Sequence, residues 1–219
     1  IIFASVLIGL GMMPLVMETG KAVGKYVRGG AAFPALIGSS LVGMVMGQAV
    51  SNTMMTGQLT IPMMKKHGYK ESLAGAIEAM ASTSGQLLPP ILGLAAFIIA
   101  AYLNMAYIEV ALAAFLPAIL YLISLVISIL IVSRAHNLPY PKVDVDTKKI
   151  IRLAPTFIIG LGIVLVLLLL YYSPNLSAIL GLLGALIASA FQGKELRPTV
   201  KSIKDSFLDG LELVTILCL

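Results

Sequence analysis

The chain has no tryptophan, a single cysteine at Cys218, and only 11% charged residues among 219. One cysteine excludes an internal disulfide and any cysteine-built metal cluster. A soluble domain carries about a quarter charged residues, so this composition excludes an ordinary soluble fold. Without tryptophan, anchoring at a membrane interface falls to Tyr, Lys and Arg. No Ser-His-Asp order, phosphate loop, HExxH motif or pair of carboxylates at membrane depth occurs, so an enzyme is not expected. His67 and His136 lie in basic loops and read as solvated residues. The methionines at 44, 46, 54, 55, 63 and 64 read as adaptable packing, since a soft-metal site needs a Cys/His pattern that is missing.

What is present is apolar surface: 59% hydrophobic residues and a mean hydropathy of +1.00. Spans of roughly 20 residues leave room for about six or seven crossings or hairpin arms, so the expected fold is an all-α polytopic membrane protein. The net charge of +5 sits in loops and acts as a topology signal. The chain reads as a piece of a longer protein, beginning and stopping inside apolar runs, and no signal peptide is expected.

Residues 1–16 are expected to end a transmembrane helix, followed at 18–30 by a basic loop or short interfacial helix carrying Lys21, Lys25 and Arg28. A second basic loop follows Pro62: Lys65, Lys66, His67, Gly68, Tyr69 and Lys70. If both loops are cytoplasmic, the chain between them crosses an even number of times. Residues 31–62 are too few for two full crossings and a turn, which need roughly 40. A re-entrant hairpin over 31–64 solves the arithmetic, with its tip at Met46-Gly47-Gln48. Residues 65–133 then hold a helix broken near Pro89 and Pro90 and a following helix kinked at Pro117. A cytoplasmic loop is expected at 134–152. Residues 153–219 supply scaffold helices turning at Ser173-Pro174-Asn175, an interfacial amphipathic arm at 192–209, and the start of another span. Every basic loop then falls on one side.

Two polar stretches are the candidate ion- and substrate-binding site. No charge occurs between Arg28 and Lys65, yet Gly47, Gln48, Ser51, Asn52, Thr53, Thr56 and Gly57 fall there, with Gln58 and Thr60 beyond them. Uncharged polar groups at membrane depth need partners, because hydrocarbon supplies none. Amide, hydroxyl and carbonyl oxygens suit a hard monovalent cation such as sodium better than zinc or calcium. The second stretch is Ser82, Thr83, Ser84, Gly85, Gln86, Pro89 and Pro90, where prolines free carbonyls for an ion. Ser51, Asn52 and Gly85 are the candidate sodium ligands. Helix-to-helix hydrogen bonding is the competing explanation for each hydroxyl taken singly. Glu78 is a candidate intramembrane acid; a place among the headgroups, or a pair with Lys65 or Lys66, is the alternative.

Residues 43–69 resemble the first hairpin of the large permease subunit of tripartite ATP-independent periplasmic (TRAP) transporters. The matching words are Ala49-Val50-Ser51-Asn52, Thr56-Gly57, Thr60-Ile61-Pro62-Met63-Met64-Lys65-Lys66 and Gly68-Tyr69. Ala74-Gly75-Ala76-Ile77-Glu78-Ala79 and Ala81-Ser82-Thr83-Ser84-Gly85-Gln86-Leu87-Leu88-Pro89-Pro90 continue the likeness. Gly93-Leu94-Ala95-Ala96-Phe97 and residues 107–121 look most like the fused, TAXI-type branch. The likeness is motif-specific over about residues 43–121 and topological elsewhere. The family's tip usually reads Ser-Gly-Ser, where this chain has Met46-Gly47-Gln48; Ser51 and Thr53 offer compensating hydroxyls.

The resemblance implies an elevator-type fold of the ion-transporter superfamily, with only one of two inverted repeats in this chain. It implies a sodium-driven importer of small organic acids in a bacterial or archaeal cytoplasmic membrane, with sodium as coupling ion and no other cofactor. The implied partners are a periplasmic substrate-binding protein, a small membrane subunit or its fused equivalent, and the lipid bilayer, with no nucleic acid. Two other readings stay open: a standalone sodium/dicarboxylate-type symporter, and a membrane assembly subunit whose polar residues only join helices.

Overall fold

The computed structural model describes residues 2–89, 92–141, 143–190, 192, 204, 207 and 208. Among these the regular elements are helices. α1 (Ile2–Gly9) and α2 (Met12–Gly24) meet at a 71° bend, where Gly11 takes φ 100°. Of the two forms open for the stretch from residue 18, loop or short helix, it is helix as far as Gly24. Nothing in that stretch breaks it, since Glu18 and Lys21 pair one turn apart at 2.7 Å. A single 3₁₀ turn, Gly30–Ala32, leads into α3 (Phe33–Met46).

α3 and α4 (Ala49–Lys66) form the hairpin arms, separated by Gly47 in the left-handed region and Gln48 in extended backbone. Glycine adopts that φ of 67° without the penalty a Cβ brings. α4 runs through Pro62, so Lys65 and Lys66 lie in its last turn and not in a separate loop. Pro62 is exposed, and so is Gln58, whose carbonyl the proline ring deprives of a donor. α5 (Glu71–Ser84) and α6 (Leu94–Leu103) are the two pieces of the broken helix. The break opens at Gly85, before the prolines. Pro90 lies outside the described residues.

α7 (Tyr107–Ala135) continues through Pro117 for 29 residues. α8 (Thr147–Leu169) starts inside the expected loop, with the Asp146 carboxylate accepting from Lys149 N at 3.2 Å as its cap. α9 (Pro174–Ser189) returns along α8, where a Cβ placed on Gly181 would lie 2.8 Å from Gly160 O. Small residues allow this approach. The arm expected at 192–209 and the span after it lie outside the described residues, apart from residues 192, 204, 207 and 208.

α7 and α8 are each long and apolar enough to cross a membrane, and α1 with α2 make a third if the bent pair counts as one span. Leu112, Leu116, Ile131, Ile158 and Ile187 are exposed, as on a surface solvated by lipid. The protein is an all-α polytopic membrane protein. At one end three basic segments meet: Gly29 N donates to Pro139 O at 3.1 Å, Arg28 lies 5.7 Å from the Tyr140 ring, and His67 and Gly68 share a pocket with Pro139 and Tyr140. Two apolar clusters form the core. One gathers Phe3, Leu7, Val42, Leu153 and Val164; the other gathers Leu36, Met64, Ile77, Leu125 and Ile129. Along α3 and α4, buried polar residues separate them.

Candidate functional site

That polar layer is built by helical spacing. On α4, Asn52, Thr56 and Thr60 recur every four residues and are fully or almost fully buried. On α5, Glu78 and Ser82 are one turn apart and both 0% exposed, and α3 contributes Ser39. The three stripes meet at the Glu78 carboxylate. Its Oε1 accepts from Ser39 Oγ at 2.5 Å, Thr56 Oγ1 at 2.5 Å and Ser82 Oγ at 3.1 Å. Its Oε2 accepts from Thr60 Oγ1 at 2.5 Å. Glu78 is buried within the protein and pairs with neither Lys65 nor Lys66. Lys65 instead pairs with the exposed Glu71 at 2.5 Å. Gly57 makes room for Glu78, since a Cβ there would stand 3.3 Å from its Cγ.

Asn52 lies beside this cluster. Its Nδ2 donates to Ser39 O at 2.6 Å and reaches Ser82 O at 3.4 Å. Its Oδ1 is buried and, among the described residues, has no hydrogen-bond partner. Such an oxygen is rare and calls for an explanation. Two glycines allow the packing: a Cβ built on Gly85 would lie 2.3 Å from Gly43 Cα, and one on Gly43 would lie 2.6 Å from Asn52 Nδ2. The hairpin and the broken helix therefore touch backbone to backbone. They touch again at the tip, where a Cβ on Gly93 would sit 3.0 Å from Gly47 O. Gly93 N closes the break by donating to Gln86 O at 3.1 Å, and Leu92 N donates to Tyr107 Oη at 2.9 Å.

The other residues singled out by sequence divide between two faces. Ser51 donates to Gln48 Oε1 at 3.0 Å, on the side of α4 away from Glu78. With Met46, Met54, Met55 and Gln58 it lines an open cavity of about 340 Å³. Thr53 and Thr83 each donate back to their own helix, at Ala49 O and Ala79 O, and Thr83 is exposed. Ser84 is buried against Ser40 at 2.6 Å. Gln86 and Pro89 are half-buried in the break. Ser39, Ser40 and Thr60 were not among the candidate site residues. The four-residue spacing of positions 52, 56 and 60, matched by 78 and 82, was the available signal for Thr60. No comparable signal marks the α3 serines.

A sodium ion fits this chemistry at one point. Among the described residues no three His, Cys, Asp or Glu side chains come together. The donors are amide, hydroxyl and peptide oxygens beside one carboxylate, with the unpartnered Asn52 Oδ1 among them. Hard oxygen donors of low formal charge suit a monovalent cation.

The family model for the DctM component of the tripartite ATP-independent periplasmic transporters matches residues 1–219. The sialic acid TRAP transporter permease protein SiaT of Haemophilus influenzae is 24% identical over 216 residues, covering 95% of this chain and 34% of that protein. The C4-dicarboxylate TRAP transporter large permease protein DctM of Vibrio cholerae is 26% identical over 129 residues, 59% of this chain and 28% of that protein. A protein of Sinorhizobium fredii, y4mL, is 33% identical over 99 residues, 45% of this chain and 23% of that protein. The chain thus spans about a quarter to a third of the length of these relatives. With its all-helical membrane architecture and a family match over its whole length, the chain belongs to the DctM component family of tripartite ATP-independent periplasmic transporters.

Proposed function

We propose that this chain is part of the permease of a sodium-driven secondary transporter that imports small organic acids delivered by a periplasmic binding protein. The observation that carries the reading is the buried, unpartnered Asn52 Oδ1, held between a hairpin and a broken helix. Interrupted helices at membrane depth are where transporters present oxygens to coupling ions. Asn52 Oδ1, with peptide oxygens near Gly43 and Gly85, would hold sodium. Ser51, facing the cavity beside Gln48 and Gln58, belongs to the substrate side. The two relatives named for sialic acid and C4-dicarboxylates support an organic acid.

The hairpin is re-entrant in this reading, and the hairpin with α5, α6 and α7 moves as an elevator against the scaffold formed by α8 and α9. The working complex includes a small membrane subunit or its fused equivalent and lies in the cytoplasmic membrane of a bacterium or archaeon.

The test is uptake of radiolabelled sialic acid and succinate by the full-length permease in proteoliposomes, with its small subunit and binding protein. Inward sodium gradients should drive accumulation of an organic acid, and Asn52→Ala should remove the sodium stimulation. Uptake indifferent to the sodium gradient sinks the sodium reading. Uptake that survives omission of the binding protein favours the standalone symporter.

A further inference from the structure

We propose that Glu78 is the counter-charge for the cation held at Asn52, acting across Ser39 and Ser82 rather than as a direct ligand. The inference rests on the cation reading above and assigns its buried negative charge. Two features of the polar layer are unexplained when taken apart. The first is a carboxylate that is 0% exposed and, among the described residues, has no basic partner. Four hydroxyl donors stabilise it, but a buried carboxylate without an opposite charge remains costly. The second is the Asn52 Oδ1 lone pair, buried with no partner among the described residues.

One monovalent cation at Oδ1 resolves both. Ser39 and Ser82 each touch the two groups at once. Their hydroxyls donate to Glu78 Oε1, while their peptide oxygens accept from Asn52 Nδ2. Thr56 places its hydroxyl against Glu78 Oε1 and the Asn52 backbone carbonyl, one turn back on its own helix. The carboxylate thereby fixes which way the Asn52 amide faces: its NH2 is held by two carbonyls, and Oδ1 is left toward the ion. With its oxygens filled by hydroxyls, Glu78 acts through the field it sets in a medium of low dielectric constant.

The experiment uses the full-length permease with its small subunit, purified in detergent. Thermal unfolding is followed against sodium chloride, with choline chloride holding ionic strength constant. The readout is the sodium concentration giving half the maximal stabilisation. Glu78→Gln keeps shape and removes the charge, and should raise that concentration at least about tenfold. Glu78→Asp keeps the charge and should stay nearer wild type. Thr60→Val strips a hydroxyl from Oε2, away from Asn52, and should lower the Tm in both salts without moving the sodium midpoint. A wild-type midpoint in Glu78→Gln, or equal shifts in the Gln and Asp variants, overturns the proposal.

If Glu78→Gln does not fold, Ser82→Ala decides. Its hydroxyl couples the carboxylate to the residue whose carbonyl meets the Asn52 amide, as Thr60 does not, so its loss should raise the sodium midpoint; a wild-type midpoint overturns the assignment. Asn52→Ala separates the two readings. If sodium still stabilises that variant, the cation site itself is wrong, whatever the Glu78 variants do.

Discussion

No hydrogen bond joins Asn52 to Glu78, yet the two side chains grip the same pair of residues from opposite ends. Ser39 and Ser82 give their hydroxyls to the carboxylate and their peptide oxygens to the amide. The hairpin arms and the broken helix are thus cross-linked through side chains and backbone together. Loosening any one member should be felt in all three segments.

Ser39→Ala should show this. It deletes the α3 donor to Glu78 and leaves a buried carboxylate oxygen one partner short. The expected destabilisation is about 1–3 kcal/mol. Hydrogen exchange should speed up in α4 and α5 together, measured on the full-length protein in detergent. Acceleration confined to α3 contradicts the cross-link.

Gly85→Ala tests the contact that brings the pieces together. The new methyl would lie 2.3 Å from Gly43 Cα, and backbone cannot yield as a flexible side chain can. Forced separation of α3 from α5 should cost more than about 2 kcal/mol, in the range of overpacked cores. Gly75→Ala on the same helix meets nothing within 4 Å and serves as the control. Equal Tm values for the two variants would refute the close approach.

Tyr69 ties the basic end of the molecule. Its hydroxyl donates to Gly29 O at 2.5 Å and lies 3.1 Å from Ser133 Oγ. Burial pushes its pKa up, against the opposing effect of Ser133, so the hydroxyl stays a donor. A raised folded-state value means stability that is complete below the unfolded value of about 10 and is lost as pH rises above it. Tyr69→Phe should therefore cost about 1 kcal/mol at neutral pH. It should also flatten the alkaline fall in Tm, as read from melts at several pH values.

Asp146 governs the start of α8. The backbone N–H of Lys149 holds its carboxyl below the usual carboxylate range. A depressed value contributes stability above the unfolded pKa of about 3.9, lost as pH falls through the lower folded value. Asp146→Asn retains an acceptor for the cap and should behave like wild type near neutrality. Exchange of the first-turn amides of α8 should then no longer accelerate in acid. Acid acceleration identical to wild type would mean the cap does not depend on the charge.

Much of the fold was legible because membrane burial leaves strong one-dimensional marks. The hairpin tip could be placed at residues 46–48 because Gly47 supplies the left-handed turn between the two arms, whereas the break expected at Pro89 and Pro90 opens earlier, at Gly85. Helix ends near charges were less legible. Glu18 and Lys21 left loop and short helix both open, and they pair along α2; Pro62 suggested an ending yet sits exposed inside α4. Charge and proline mark helix ends only when nothing else satisfies the groups they disturb.

The sequence by itself determined that the chain lies in a membrane, where its helices turn, and that uncharged polar residues gather at 47–60 and 82–86. Residue types and hydropathy decide these, because the bilayer tolerates few alternatives. Only the tertiary structure decided that Glu78 meets Ser39, Thr56, Thr60 and Ser82, that Asn52 keeps a bare oxygen, and that Ser51 faces the other way. The donors to Glu78 come from as far as 39 residues away and converge only when the glycines at 43 and 85 let α3 and α5 touch. Periodicity shows that a helix has a polar stripe; what that stripe faces is set by packing.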